Sequence, residues 1–153
     1  MDLLGEVRVE ECAQSQAQRK LIIIYGIACA LSYLHENKVL HRDLKPANIF
    51  LDDLFYPKLS GFNIAKIIKS DSFVKSEKIK GTPAYLAPEV YMRKEYSKFS
   101  DVYSFGLIIY ELLTMKKAFE TFNSPKEIRR IIVDKNYQPN IDIPMNKTYR
   151  QIN

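Results

Sequence analysis

The chain has 153 residues, about the length of one domain, and its 46% hydrophobic and 27% charged residues exclude a disordered or low-complexity protein. Its five glycines lie too far apart to form a glycine-rich phosphate-binding loop, and a net charge of +5 permits anionic partners without choosing among them. The two cysteines fit neither a CxxC redox motif nor a zinc motif, which predicts free thiols in a reducing compartment.

The first predicted helix covers residues 18–37. Apolar residues recur at steps of three and four from Leu21 to Leu34, and isoleucines between them make the other faces apolar as well. Such a helix is expected in a protein core. Its 14 uncharged residues are fewer than a membrane span needs, about 20. The acidic N-terminus lacks the apolar region of a signal peptide. The sequence therefore predicts no membrane span and a cytoplasmic protein.

The next residues, 39–66, change to short apolar runs broken by Asp52, Asp53 and Pro57. This pattern predicts two short strands joined by a turn. Residues 66–98, called the basic segment below, are rich in lysine and serine and have no clear period. A long irregular stretch of this kind inside a compact domain is usually functional.

Two further helices are predicted in the C-terminal half. Ser100 is the expected N-cap of a strongly apolar helix over about 101–115. Ser124, followed by Pro125 and Glu127, has the spacing of a capping box, and its helix is expected to end near Asp134. Because no repeat or linker is visible, one domain is the simplest organisation.

The segment HRDLKPAN, residues 41–48, joins the first helix to the strand pair. In a tight loop Asp43, Lys45 and Asn48 can converge on one pocket. They would offer a carboxylate that orients a hydroxyl, an ammonium that meets a phosphate and an amide oxygen for a metal. Phosphoryl transfer requires these three parts.

This octapeptide resembles the catalytic loop of the protein kinases. KLSGFNIAK, GTPAYLAPE and SDVYSFGLIIYELLT follow in the family's order and resemble its metal-binding segment, substrate-binding loop and central helix. The resemblance covers residues 18–134 and implies a mainly α fold, the helical C-terminal lobe of a kinase with one short β-hairpin. It implies one partial kinase domain over 1–153, with a catalytic loop at 41–48, an activation-segment-like stretch at 61–89 and a central helix at about 101–115.

The resemblance assigns catalytic and cofactor roles. Asp43 would orient the acceptor hydroxyl, and Lys45 would neutralise charge on the transferred phosphoryl group. Asn48 and Phe50 would bind the nucleotide, and Asn48 would also hold one Mg²⁺, since ATP and Mg²⁺ are the family's cofactors. A lysine at position 45 resembles the serine/threonine-directed branch, whose substrates are proteins.

The resemblance also assigns regulatory and structural roles. Arg42 would clamp a phosphorylated serine or threonine of the basic segment. Thr82 fits serine/threonine specificity, and Glu89 closes the substrate-binding loop. Asp101 would cap backbone amides of the catalytic loop, and His41 is expected to be a packed structural residue.

Three departures from the family's pattern point the same way. Gly61-Phe62-Asn63 stands where Asp-Phe-Gly belongs, so Gly61 supplies no metal-binding carboxylate and Asn48 alone is a weak metal site. No GxGxxG strand region is present, so we expect the small lobe to be absent. The last helices are expected to be truncated, which would leave Glu89 without its usual arginine partner. The apolar helix faces would then invite a covering partner.

Three functions stay open on this basis. The chain could be a pseudokinase-like module that binds proteins through the loop 81–89 and the helix after Ser124, and the loss of the metal aspartate favours this function. It could be an active serine/threonine kinase whose small lobe lies outside this sequence, or a truncated relic without function. No nucleic-acid binding is expected, because the basic residues cluster where the family is regulated by phosphorylation.

Overall fold

The computed structural model describes residues 3–69, 73–122 and 124–135, together with Tyr137 and Pro139, and describes side chains from residue 16 onward. Its α-helices are α1 (Leu3–Glu36), α2 (Pro88–Arg93), α3 (Lys98–Thr114) and α4 (Pro125–Asp134). Its strands are β1 (Val39–Leu40), β2 (Ile49–Leu51), β3 (Pro57–Leu59), β4 (Lys66–Ile67), β5 (Val74–Lys75) and β6 (Glu95–Tyr96). The mainly α architecture is confirmed.

Helix α1 is longer than predicted and is not buried on all sides. Ile27 and Leu31 are buried, whereas Leu21, Tyr25 and Tyr33 are 64%, 73% and 67% exposed. The helix packs with one face against β3 and α3, and no described residue covers its outer face. The prediction of an all-round core helix is therefore wrong. Apolar residues on every face are compatible with burial on every side. Burial also requires other elements that pack against each face, and the outer face of α1 has none among the described residues.

The same helix bears on the membrane prediction. By length and composition alone, the segment Gln16–Glu36 could cross a membrane. Core helices of soluble proteins and signal sequences have the same property, so the finding carries little weight.

The predicted hairpin is formed by β2 and β3, which pair antiparallel with Ile49 opposite Leu59. Its turn is closed by Asp52, whose carboxylate accepts hydrogen bonds from the N–H groups of Leu54 (3.1 Å) and Tyr56 (3.0 Å). The hydrogen bond from Tyr56 favours the ionised form and lowers the pKa of Asp52. An aspartate that bonds the backbone of its own turn explains why DDLFY reads as a turn.

Two further ladders, β1 with β4 and β5 with β6, were not predicted. Each strand has two residues, too few to carry an alternating pattern. The second ladder joins two parts of the basic segment, residues 74–75 and residues 95–96.

Helix α3 begins earlier than predicted. Ser97 is the N-cap and accepts a hydrogen bond from the N–H of Phe99 (3.2 Å), while the Ser100 hydroxyl accepts one from the N–H of Ser97 (3.1 Å). Ser100 is therefore the third helical residue and completes a capping box. The sequence misled because serine stands at both ends of this box.

Helix α4 agrees with its prediction. The Ser124 hydroxyl accepts a hydrogen bond from the N–H of Glu127 (3.2 Å), and the helix ends at Asp134. Ile128, Ile131 and Ile132 are buried and belong to the larger core cluster. This face of α4 is therefore buried in the core and is not available to a partner.

The loop 41–48 lies between two core clusters. The larger one joins α2, α3 and α4 and includes Val90, Leu107 and Ile132. The smaller one joins α1 and α3 and includes Ile27 and Leu44, the latter only 1% exposed. Because Leu44 stands next to Asp43, burial of its side chain fixes the loop against the core.

Candidate active site

The start of the loop 41–48 is fixed by Asp101 of α3. Its carboxylate, 2% exposed, accepts hydrogen bonds from the N–H groups of His41 and Arg42, each at 2.9 Å. His35 Nε2 lies 3.0 Å from the same carboxylate. Arg42 has a left-handed backbone (φ +69°), which an arginine seldom adopts. The paired hydrogen bonds hold the chain in this turn and so direct Arg42 and Asp43 to opposite sides.

His41 is fully buried and structural. Its Nε2 lies 2.8 Å from the carbonyl oxygen of Ser60, and the N–H of Asp43 lies 3.3 Å from its Nδ1. These partners assign the proton to Nε2, because Nδ1 must accept from the amide. The ring also packs at 4.9 Å from that of Phe62. The histidine thus ties the loop to the segment that contains Gly61.

Asp43, Lys45 and Thr82 form one hydrogen-bonded group. The Thr82 hydroxyl donates to Asp43 Oδ1 (2.7 Å), and Lys45 Nζ donates to Thr82 Oγ1 (2.8 Å). Lys45 Nζ also lies 3.2 Å from Asp43 Oδ2. The two charged side chains are about one fifth to one quarter exposed, so a reactant can reach them. This group can orient a hydroxyl and place a positive charge beside it.

Asn48 faces this group and also Gly61. Its Nδ2 donates to the backbone carbonyl of Asp43 (2.7 Å) and lies 3.3 Å from Asp43 Oδ2. Gly61 has φ +78°, and a Cβ atom at this position would overlap the Asn48 side-chain amide. The Asn48 side chain therefore occupies the space into which a side chain at position 61 would project.

The remaining predicted residues lie around this centre. Phe50 is 61% exposed on β2, next but one to Asn48 in the chain. Glu89, expected to lack its usual arginine partner, accepts a hydrogen bond from the Ser100 hydroxyl (2.9 Å). The first turn of α3 brings Ser100 against α2, so a serine hydroxyl contacts the carboxylate for which the family would supply an arginine. Asn63 lines a different cavity and does not take the place of a carboxylate at position 61.

Arg42 lies at a separate, basic cavity of about 650 Å³. Its guanidinium is 4.3 Å from the ring centre of Tyr96, and the side chain is only 8% exposed. Its Nε and Nη2 are buried without a hydrogen-bond partner among the described residues. The other charged residues of the lining are Lys66, Lys75, Lys78, Lys80 and Glu77. Buried, unpaired donors among lysines are suited to a bound anion.

Sequence reasoning did not identify Tyr96 as part of this region. It lies in EYSKFSD, before the central helix, and an isolated tyrosine carries no periodic or motif signal. Only the β5–β6 ladder brings it beneath Arg42.

Comparison with known proteins identifies the family of this chain. A family model of the protein kinase domain matches residues 2–151. The chain belongs to the protein kinase family. It is 44% identical over 115 residues to the cysteine-rich receptor-like protein kinase 10 of Oryza sativa subsp. japonica, a match that covers 72% of this chain and 18% of the relative.

Other relatives of this kinase domain carry similar names. It is 37% identical over 131 residues to the serine/threonine-protein kinase Nek1 of Mus musculus, covering 86% of this chain and 11% of the relative. It is 36% identical over 132 residues to the probable receptor-like protein kinase At5g18500 of Arabidopsis thaliana, covering 84% and 27%. The chain thus spans 11% to 27% of the length of these three relatives.

Protein kinases generally use ATP and Mg²⁺, and the residues present can be tested against that ion. Mg²⁺ is usually held by one or two carboxylates together with phosphate oxygens. Here Gly61 offers no ligand, and Asn48, whose amide nitrogen donates to Asp43, can offer only its neutral amide oxygen. Among the described residues, no group of three or more His, Cys, Asp or Glu side chains could hold a metal. The donor set of this kinase domain does not fit the metal site of its family.

Proposed function

We propose that this protein kinase domain works as a pseudokinase-like protein-binding module and does not transfer phosphate on its own. Gly61 carries the proposal, since it stands beside Asn48 where the metal-binding carboxylate belongs. Losing a group that stabilises transition-state charge commonly costs about 10²–10³ in rate. The fold itself remains supported, because Asp101 and His41 keep their buried hydrogen bonds.

The proposed docking surface consists of the loop 81–89 and the outer face of α4. Since the isoleucines of α4 lie in the core, its exposed charged residues are Lys126, Arg129 and Arg130 with Glu127 and Asp134, a small basic excess. A surface of this charge favours an acidic protein partner. The exposed apolar faces of α1 and α3, which include Tyr25 and Phe99, are proposed to be covered by a protein as well.

The proposed partner is a protein, not a nucleic acid, and the proposed location is the cytoplasm. Several lysines of the basic segment converge on the cavity at Arg42 and so do not form an extended stripe. Cys29 is a free, exposed thiol, as is usual in a reducing compartment. Cell fractionation with an epitope-tagged chain checks the location.

We also propose a role for the cavity at Arg42. Its unpaired guanidinium nitrogens and surrounding lysines would receive the phosphate of a phosphorylated serine or threonine of the basic segment. Ser76 lines the same cavity and is one candidate. The phosphate would then order this segment through charge-assisted hydrogen bonds.

A second candidate function is favoured by the group formed by Asp43, Lys45 and Thr82. Within a longer chain, this partial kinase domain of residues 1–153 would transfer the γ-phosphoryl group of ATP to serine or threonine of a protein. Asp43 would orient the acceptor hydroxyl and Lys45 would neutralise the phosphoryl group, while Asn48 and Phe50 would contact the nucleotide. The close hydrogen bonds of this group support the candidate.

A phosphate-transfer assay separates the two functions. Purified chain is incubated with radiolabelled ATP, casein and either Mg²⁺ or Mn²⁺, alongside its Asp43→Asn variant. If the chain is a protein-binding module, casein should incorporate only background radioactivity, equally with both proteins. Incorporation by the native chain that disappears in Asp43→Asn would overturn it and support the kinase.

Docking through α4 has its own test. Binding of fluorescent polyglutamate is compared between the native chain, an Arg129→Glu/Arg130→Glu double variant and a Lys58→Glu control on the hairpin. Charge reversal on α4 should weaken binding about tenfold or more, and the hairpin control should bind far more like the native chain. Equal losses of affinity in both variants would show that polyglutamate binds through non-specific charge and not through α4.

A further inference from the structure

Tyr96 holds the basic segment at Lys80 with both of its hydrogen-bonding functions. Its hydroxyl accepts from the N–H of Lys80 (2.6 Å) and donates to the carbonyl oxygen of Lys80 (2.7 Å). The side chain is only 1% exposed. One tyrosine therefore satisfies both backbone groups of a residue in an irregular stretch, as a neighbouring strand would do.

The ring of Tyr96 supports Arg42 at the same time. The guanidinium lies 4.3 Å from the ring centre, within the distance of a cation–π contact. This contact fixes the plane of the guanidinium without using its Nε and Nη2 donors, which have no partner in the part of the chain that the structure describes. The backbone of Arg42 is fixed separately by Asp101. The arginine is thus oriented and still able to bind an anion.

The two residues that follow Lys80 touch the catalytic loop. Gly81 has φ +106°, and a Cβ at this position would lie 2.7 Å from the carbonyl oxygen of Arg42, so only glycine fits this approach. Thr82 then donates its hydroxyl to Asp43. Within residues 80–82, the segment contacts Tyr96, Arg42 and Asp43 in succession.

We propose that Tyr96 is a positioning residue that couples the basic cavity to the catalytic loop. Its ring orients Arg42 for a phosphate-type anion, and its hydroxyl fixes Lys80 so that Thr82 reaches Asp43. Anion affinity and the contact between Thr82 and Asp43 therefore depend on one side chain. The inference rests on the anion cavity proposed above. It adds the residue through which anion binding in that cavity affects the contact between Thr82 and Asp43.

The test uses the full chain, with O-phosphoserine and inorganic phosphate as probes. Affinity is taken from the rise of the thermal midpoint with probe concentration. Tyr96→Phe keeps the ring and removes the hydroxyl, Tyr96→Leu removes both, and Arg42→Gln removes the cation. Tyr91→Phe is the matched control, because its hydroxyl donates to Pro83 of the same segment (2.6 Å).

We expect Arg42→Gln to abolish the phosphate effect and Tyr96→Leu to weaken affinity about fivefold. Tyr91→Phe should lower the midpoint without probe but leave affinity unchanged. In spectra of methyl-labelled threonine, phosphate should shift the Thr82 resonance in the native chain and not in Tyr96→Phe. That arm stays informative if Tyr96→Leu fails to fold.

The outcomes separate the two proposals. If phosphate stabilises the native chain and Arg42→Gln equally, the cavity proposal fails and the coupling fails with it. If Arg42 matters but both Tyr96 variants keep native affinity and the Thr82 shift, only the role of Tyr96 is overturned.

Discussion

Two neighbouring regions of this kinase domain differ in what they retain. At the catalytic loop, Asp43, Lys45 and Thr82 are joined by hydrogen bonds of 2.7 and 2.8 Å, and Asp101 caps the loop from beneath. At the metal-binding segment, Gly61 has no side chain, and the Asn48 amide fills the adjoining space. The first region keeps its geometry, whereas the second has lost a charge.

The contrast shows that the geometry of a catalytic loop does not depend on the metal ligand. The loop is held by contacts that also serve stability, namely the buried Asp101 and His41. A carboxylate at position 61 would bind the metal ion and would contribute nothing to these stabilising contacts. A protein-binding module can therefore lose it and keep the lobe folded.

The largest effect is expected from Asp101→Ala. It would leave the buried N–H groups of His41 and Arg42 without acceptors, at a cost of about 3 kcal/mol or more in the free energy of unfolding. Urea denaturation measures the loss, with Asp53→Ala in the exposed hairpin turn as the control. Similar midpoints for Asp101→Ala and the native chain would show that the loop is held by other contacts.

A smaller effect is expected from Thr82→Val, which keeps the shape of the side chain and removes the hydroxyl between Lys45 and Asp43. The two lost hydrogen bonds should lower stability by about 1–2 kcal/mol. Thr82→Ser retains the hydroxyl and should recover most of it in the same denaturation assay. If both variants lose the same amount, packing of the methyl group and not the hydrogen bonds fixes this region.

The last prediction concerns pH and the tyrosines that lie in or near the loop 81–89. Burial raises the pKa of Tyr91 and of Tyr103 to about 12, and raises the pKa of Tyr85 beside Glu111 as well. Because the unfolded chain titrates near pH 10, the folded state binds more protons above that pH. Stability should be full below about pH 10 and fall as the pH rises towards about 12.

Denaturation midpoints measured across this alkaline range check the prediction, and tyrosinate absorbance follows the ionisation. Tyr91→Phe should show a shallower decline than the native chain. A stability that stays flat between about pH 10 and 12 would mean that these hydroxyls are not protected in the fold.

Sequence patterns predicted what depends on local spacing. The turn at Asp52 and the cap at Ser124 are such features, because each is made by residues within four positions of one another. The catalytic loop was found because eight consecutive residues carry the resemblance. These elements require no knowledge of what lies across the fold.

Contacts between distant segments could not be predicted in this way. The bond between Ser100 and Glu89 could not be predicted, because it joins two helices, and Tyr96 carried no signal until the β5–β6 ladder placed it beneath Arg42. The apolar pattern alone predicted a buried α1. The departures from the family's pattern had already indicated that apolar helix faces would lack a cover, and Tyr25 lies on such a face.

The central claim is that the metal site, and not the catalytic loop, has been lost. Thermal-shift titrations of the native chain with ATP, once with Mg²⁺ and once with a chelator, test it most directly, with Asn48→Ala as the companion variant. The account predicts that Mg²⁺ adds no stabilisation to whatever ATP produces, in either protein. Stabilisation by ATP that requires Mg²⁺ and vanishes in Asn48→Ala would contradict it.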